Sequence, residues 1–451
     1  VLNATGGFEL APSLPFDFSG GVLVAISGGS DSTALLLLLK SHLDRRHPKA
    51  PLLAVTVDHA LRPGSRAEAE AVARFCDAHG IFHRTVTWSG PKPAGGVSAA
   101  AREARYRLLA QAAREAGLSL IATGHTADDQ AETVRMRQAR TTGTDAPGLA
   151  GMAPATLYDG ATWIVRPLLG VRRAALRDFL RAERVDWIDD PTNADLRFER
   201  PRLRAVAMDD DMRVGQALAV AGKASHERQD RGRRAAELVR AFATRAIPGL
   251  VRLDPVFARA EDRAAAVHAL RVLLAVTGGV GFLPATERVE ALLAGAATAG
   301  TRATLSRCVV DARRAGIFIH REARDLPAPC KVQDGMVWDG RRRITFGDDG
   351  GDLVIAPQGA ETAAFEPEGT PQSLVRAASA AEPALWRGAE RLCALGAGER
   401  SHIEPVTAPW RLFLPSFDLP LARTVAALIG APPVPEPPLC GPIGVGPWSN
   451  A

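Results

Sequence analysis

The run Val22-Leu23-Val24-Ala25-Ile26-Ser27-Gly28-Gly29-Ser30-Asp31-Ser32 constrains this chain more than any other stretch. An apolar, β-branched strand breaks into Ser-Gly-Gly-Ser-Asp-Ser and then enters a leucine-rich helix running past Leu39. Gly28 and Gly29 let the backbone turn tightly and bring its N–H groups close to a ligand. Ser27, Ser30 and Ser32 add hydroxyl donors, and the helix that follows aims its positive dipole end at the same spot. The combination suits a phosphate. Asp31 is the exception, because a carboxylate repels phosphate; it fits best as a holder of Mg²⁺, which bridges carboxylate and phosphate. No Gly-Lys-Ser/Thr follows at the required spacing, so the run is not a Walker A loop. A plain glycine turn between strand and helix is the competing reading of these residues alone.

The first half of the chain alternates strands and helices. Strands are expected over 22–26, 52–57, 82–88, 118–123 and 162–165, and helices over 31–43, 66–79, 98–116 and 127–139. Such alternation predicts an α/β fold with a parallel sheet and helices on both faces. Ligands of such sheets bind at the carboxyl ends of the strands, near the switch in strand order. Ser27, Asp58, His59 and His125 all stand at strand ends. From about Met212 to Val276 the Ala-, Arg- and Leu-rich pattern predicts helices with few strands. Beyond Thr304, short β-like runs separated by glycine turns predict a small β-containing module, and Ala431–Pro438 reads as a stiff extended stretch. The expected division is a nucleotide-binding domain over 1–208, a helical domain over 209–325 and a C-terminal β-containing module with a Pro-rich tail over 326–451.

A second chemical cluster follows the strand that ends at Thr123. In Thr123-Gly-His125-Thr126-Ala-Asp128-Asp129-Gln-Ala-Glu132, Thr126 is placed to cap a helix, with Asp129 at its third position completing a capping-box-like pair. Asp129 and Glu132 share a helix face. Beside a phosphate loop, these carboxylates suit Mg²⁺ or an incoming ammonium group, and His125 suits phosphate contact or acid–base work. The alternative is that the acids only satisfy the helix dipole. Arg102, Arg105 and Tyr106 fall on one basic helix face, suited to phosphate or simply solvated. Farther on, Asp189-Asp190-Pro191-Thr192-Asn193 gives way to alternating Arg200, Arg202 and Arg204, candidates for RNA phosphates if that piece is extended.

Composition narrows the partners only a little. The 451 residues carry a formal net charge of +5, which suits a polyanion, but nearly all the positive charge is arginine. Cys76, Cys308, Cys330, Cys393 and Cys440 form no Cys-x-x-Cys pair, which argues against a disulfide framework, a structural zinc site or an iron–sulfur cluster. No apolar run reaches bilayer length and the start lacks a signal-peptide pattern, so a cytoplasmic protein is expected.

Together these pieces resemble a family. SGGSDS (Ser27–Ser32) resembles the pyrophosphate loop, or PP-loop, of the ATP pyrophosphatases. With VDHALRPGSRAEA (Val57–Ala69), AAAREARYRLL (Ala99–Leu109), TGHTADDQAET (Thr123–Thr133), GLAGM (Gly148–Met152), RPLLGVRR (Arg166–Arg173) and DDPTNADLRFERPRLR (Asp189–Arg204), the chain is similar to the bacterial tRNA(Ile)-lysidine synthetases. The resemblance covers most of residues 20–205 and weakens beyond about Gly347. It implies a ligase that uses ATP and Mg²⁺ to adenylate O2 of the wobble cytidine in a CAU-anticodon isoleucine tRNA. L-lysine then displaces AMP through its ε-amine. It further implies a nucleotide site at Ser27, Gly28, Gly29, Ser30, Asp31, Ser32 and Asp58, and catalytic roles for Asp31, Arg105, His125, Asp129 and Glu132. Asp31, with Asp129 second, would hold the metal, and Arg200, Arg202 and Arg204 would meet tRNA. A PP-loop tRNA thiolase is the nearest alternative, although its chemistry usually needs catalytic or cluster-binding cysteines and only Cys76, in an expected helix and without a second cysteine nearby, lies in the first domain.

Overall fold

The computed structural model describes residues 16–62, 64–140, 147–188, 211–346, 353–359, 368–388, 390–394 and 401–439. The chain divides into two compact units, one of residues 1–228 with 436–451 and one of residues 229–435.

The first unit is built on strands β1 (Val22–Ala25), β2 (Leu52–Asp58), β3 (Phe82–Thr87), β4 (Leu120–Thr123), β5 (Ala155–Tyr158) and β6 (Thr162–Val165). They lie in the order β5-β6-β4-β1-β2-β3, parallel throughout except for the β5–β6 hairpin. The helices between them are α1 (Ser30–Arg46), α2 (Ser65–Ala78), α3 (Val97–Glu115) and α4 (Ala127–Arg140), and α5 (Arg173–Ala182) packs on α1. Leu23 and Val24 of β1, Leu35, Leu36 and Leu39 of α1 and Ile121 of β4 have no exposed surface and make up the core beneath the site. β1 lies between β2 and β4, so the order of strands reverses there, and Ala25 of β1 stands opposite Thr123 of β4. The two chemical motifs therefore leave the sheet side by side at its switch point.

The sequence expectation of a parallel α/β sheet holds, with differences. β5 runs antiparallel to β6, and α5 is a further helix, amphipathic with Leu176 and Leu180 buried but opened by arginines where a helix start usually favours acids. In the second unit, the helical run expected over 212–276 is interrupted. After α6 (Asp211–Phe242), β7 (Ala243–Ile247) and β8 (Leu250–Leu253) form a hairpin before α7 (Arg263–Gly278). Pro248-Gly249 supplies the turn, with Gly249 at φ +80°. The pairing partner of β8 is β11 (Gly316–Arg321), far along the chain, so local pattern could not reveal it. β9 (Arg302–Leu305) and β10 (Cys308–Arg313) complete an antiparallel sheet in the order β7-β8-β11-β10-β9. Smaller sheets formed by strands between Cys330 and Pro405 follow, as the short β-like runs predicted.

A buried ionic ladder ties this second unit together. Asp339 accepts from Arg321 Nε at 3.0 Å and Arg341 Nε at 2.7 Å, and is paired with Arg307. Arg341 continues to Glu382 at 2.6 Å, and Arg342 Nε meets the other oxygen of Glu382 at 2.7 Å. Burial pushes the Glu382 carboxyl up, but Arg342 and Arg341 outweigh it and hold the group below the usual range. Its stabilising contribution is therefore complete above the ordinary glutamate pKa and is lost as pH falls through the depressed folded value. We expect Glu382→Gln to cost roughly 3–5 kcal/mol in urea unfolding at neutral pH, because it strands buried guanidinium charge. The difference from wild type should shrink as the buffer is made acidic.

Candidate active site

The Ser27–Ser32 turn is held by its own side chains. Ser32 Oγ donates to Gly29 O at 3.1 Å and accepts from Ser27 N–H at 3.2 Å, and the Ser27 and Ser32 hydroxyls lie 3.2 Å apart. Gly28 has φ +84°, and a Cβ there would lie 2.7 Å from Ile188 Cδ1 and 3.0 Å from Val72. Gly29 caps α1 without any side-chain bond, so no side chain occupies the cap position that faces the first-turn amides. Ser30 Oγ donates to Asp31 Oδ1 at 3.0 Å.

The second motif adopts the expected cap. Thr126 N–H donates to Asp129 Oδ2 at 2.9 Å, the Thr126 hydroxyl does so at 2.9 Å, and Asp129 N–H returns to Thr126 Oγ1 at 3.4 Å. Asp128, Asp129 and Glu132 are all buried in the first turns of α4. Ala127, Ala131 and Val134 pack against Val214, Ala217 and Ala221, which fixes the rotation of α4 and so the direction of its acids. His125 Nδ1 lies 2.9 Å from Thr123 Oγ1. The two motifs touch through backbone: a Cβ on Gly124 would come within 3.0 Å of Asp31 C and O and of Ser32 Cα.

Asp31, Asp129 and Glu132 converge, and what joins them is Arg173. Its Nε donates to Asp31 Oδ2 at 2.8 Å and its Nη2 to Asp129 Oδ1 at 2.9 Å, while Nη1 stands 3.9 Å from Glu132 Oε1. Burial raises the pKa of Asp31, and the Arg173 charge only partly offsets it. For Asp129, burial acts upward as well, but Arg173, His125 and the Thr126 bonds outweigh it and hold the carboxyl low. Asp128 grips the start of α5, accepting from Arg173 N–H at 2.7 Å and Arg172 Nε at 3.3 Å. One turn on, Arg177 Nε lies 3.5 Å from Ser30 Oγ.

The remaining expected residues lie around this centre or outside the described part. Asp58 Oδ1 accepts from Ala60 N–H at 2.8 Å and so holds the turn after β2, where Ala60 has φ +51°. Arg105 is exposed on α3, where its charge acts with burial to lower the His59 pKa. Tyr106 keeps company with the arginines of its helix face, Arg102 lying over its ring, but is itself buried beside Tyr158. Arg200, Arg202 and Arg204 lie outside the described residues. Arg173, the last residue of the Arg166–Arg173 motif, is a site residue that the sequence pattern does not single out. The available signal was two arginines at a helix start, where the dipole disfavours cations unless carboxylates compensate.

Among the described residues, no group of three or more His, Cys, Asp or Glu side chains is arranged to hold a metal by itself. Mg²⁺ needs only one or two carboxylates when phosphates supply further oxygens, and Asp31 at the start of α1 meets that requirement. No described helix is long and apolar enough to cross a membrane.

Residues 13–210 match the family model of the PP-loop domain. The chain is 55% identical over 436 residues to the tRNA(Ile)-lysidine synthase of Mesorhizobium japonicum, covering 94% of this chain and 96% of that protein. It is 39% identical over 430 residues to the tRNA(Ile)-lysidine synthase of Brucella melitensis biotype 2, covering 91% and 94%. Among solved structures, the U34-tRNA thiolase NcsA from Methanococcus maripaludis aligns with a TM-score of 0.37 and 16% identity, over 49% of this chain and 73% of that one; so loose a likeness carries no argument about chemistry. With relatives this similar spanning nearly its whole length, the chain belongs to the tRNA(Ile)-lysidine synthase family.

Proposed function

We propose that the protein converts the wobble cytidine of a CAU-anticodon isoleucine tRNA to lysidine. ATP lies with its phosphates against the Ser27–Ser32 turn and the start of α1, with Asp58 at the nucleotide's edge. O2 of the cytidine attacks the α-phosphorus, the bond to the β-phosphate oxygen breaks, and pyrophosphate leaves. The ε-ammonium of L-lysine then gives up a proton to solvent, the free amine attacks C2, and the former O2 leaves as part of AMP, the new C2–N bond keeping an N–H. Adenylation matters because it turns a poor leaving oxygen into a good one. The observation that carries the reading is the meeting of an anion-binding turn with three carboxylates at one sheet edge, in a member of this family.

Each residue's part follows from its chemistry. Asp129 and Glu132 hold the lysine ammonium in place; Asp129 is suited because its surroundings keep it ionised. His125 and Arg105 offset charge that develops on phosphate. Mg²⁺, held by Asp31 with Asp129 second, would supply positive charge against the phosphate oxygens. Arg202, with Arg200 and Arg204, draws the anticodon loop in by phosphate contacts; a wobble base in a single-stranded loop leaves its stack at modest cost. The thiolase alternative finds little support in Cys76, which is buried in α2 with its thiol pushed up to about 11 by that burial. The reaction takes place in the cytoplasm on this reading, with no membrane partner.

Incubation with ATP, Mg²⁺, labelled lysine and a CAU-anticodon isoleucine tRNA transcript should put the label on cytidine; AMP and pyrophosphate formation with no label on the tRNA would refute the proposal. Asp31→Ala should cut pyrophosphate release by at least about 10²-fold while tRNA binding, followed by filter retention, stays near wild type. Arg202→Ala should raise the tRNA KM by roughly tenfold, the effect of one lost charge-assisted contact, with the ATP KM unchanged.

A further inference from the structure

We infer that Arg173 is a positioning residue that locks the phosphate-side carboxylate, Asp31, and the α4 pair, Asp129 and Glu132, into one arrangement. The inference rests on the lysidine-forming reading above. The three acids come from two elements, α1 and α4, and like charges brought together on separate elements repel. The guanidinium answers this with a different nitrogen for each: Nε to Asp31 at 2.8 Å, Nη2 to Asp129 at 2.9 Å, and Nη1 facing Glu132 at 3.9 Å. Its planar fork fixes these directions, which a lysine ammonium cannot do.

The fork is itself aimed from behind. Asp128 holds the Arg173 N–H with one oxygen and Arg172 Nε with the other, so the start of α5 is tied to the start of α4. The Arg173 side chain is only 19% exposed, and Glu132 is fully buried. Arg173 thus sets the shape of the site by fixing where its carboxylates stand.

The test compares Arg173→Ala and Arg173→Lys in the full chain with wild type, after thermal melting has given the folded fraction of each. Turnover in both variants should fall by about 10²-fold, as a small misplacement of reacting groups produces. The lysine KM should rise about tenfold as the acid pair loosens, while the ATP KM, set mainly by the loop amides, changes by less than about threefold. Millimolar ethylguanidinium should recover roughly tenfold of the lost turnover in Arg173→Ala, and none in Arg173→Lys, where the site is filled. Wild-type turnover in Arg173→Lys would overturn the inference, because a point charge would then suffice. A lysine KM at or below wild type in Arg173→Ala would overturn it too, by making the guanidinium a competitor for the ammonium. So would a loss of activity that only follows the folded fraction with both KM values unchanged. If wild type itself attaches no lysine to tRNA, the functional reading fails, whatever the variants do.

Discussion

At Gly124 the backbone leaving β4 passes so close to the first turn of α1 that a Cβ would stand 3.0 Å from backbone atoms of Asp31 and Ser32. The rest of the site depends on that approach. It exists because β1 and β4 are neighbours at the point where strand order reverses, with Ala25 opposite Thr123. The glycine-rich turn after β1 and the acidic helix start after β4 are thereby held against each other. A methyl group forced into this contact would displace backbone rather than a flexible side-chain end, the kind of overpacking that costs about 1–3 kcal/mol.

The same closeness creates an electrostatic problem that the fold answers unevenly. Two carboxylates about 4 Å apart repel by roughly 4 kcal/mol at an effective dielectric constant near 20. A single guanidinium spans Asp31, Asp129 and Glu132. Asp129 also has the Thr126 cap and the nearby His125, and its carboxyl is held low; Asp31 meets Ser30 and Arg173, whose pull does not overcome burial, and its carboxyl is pushed up. Asp31, the acid nearest the phosphate turn, is therefore the one that gains most from additional positive charge. An aspartate in that state suits a site that receives a polyanion together with its counter-cation.

Features encoded within a few residues were legible in the sequence. The strand, turn and helix around Ser27–Ser32 and the reciprocal Thr126–Asp129 cap depend on neighbours in the chain, and both took the expected form. Strand-end placement put both motifs on the same side of the sheet, but the meeting of Asp31 with Asp129 also needs β1 and β4 to be neighbours and Arg173 to join them, which no local pattern states. Arg173 escaped notice because its role exists only after α5 docks on α1 and Asp128 grips the α5 start. The β7–β8 hairpin was missed for a similar reason: its stabilising partner β11 lies far along the chain. Tyr106 turned inward because a helix face defined by spacing does not say which of its members meets another helix or strand.

The proposed chemistry turns on attack by the base oxygen at the α-phosphorus of a nucleotide held at this switch point. Placing oxygen-18 at O2 of the wobble cytidine and analysing the released nucleotide by mass spectrometry tests it most directly. The account predicts one heavy oxygen in AMP for each lysine joined to tRNA, with unlabelled pyrophosphate as the other product. Heavy oxygen in pyrophosphate, in orthophosphate or in water, with unlabelled AMP, would contradict it.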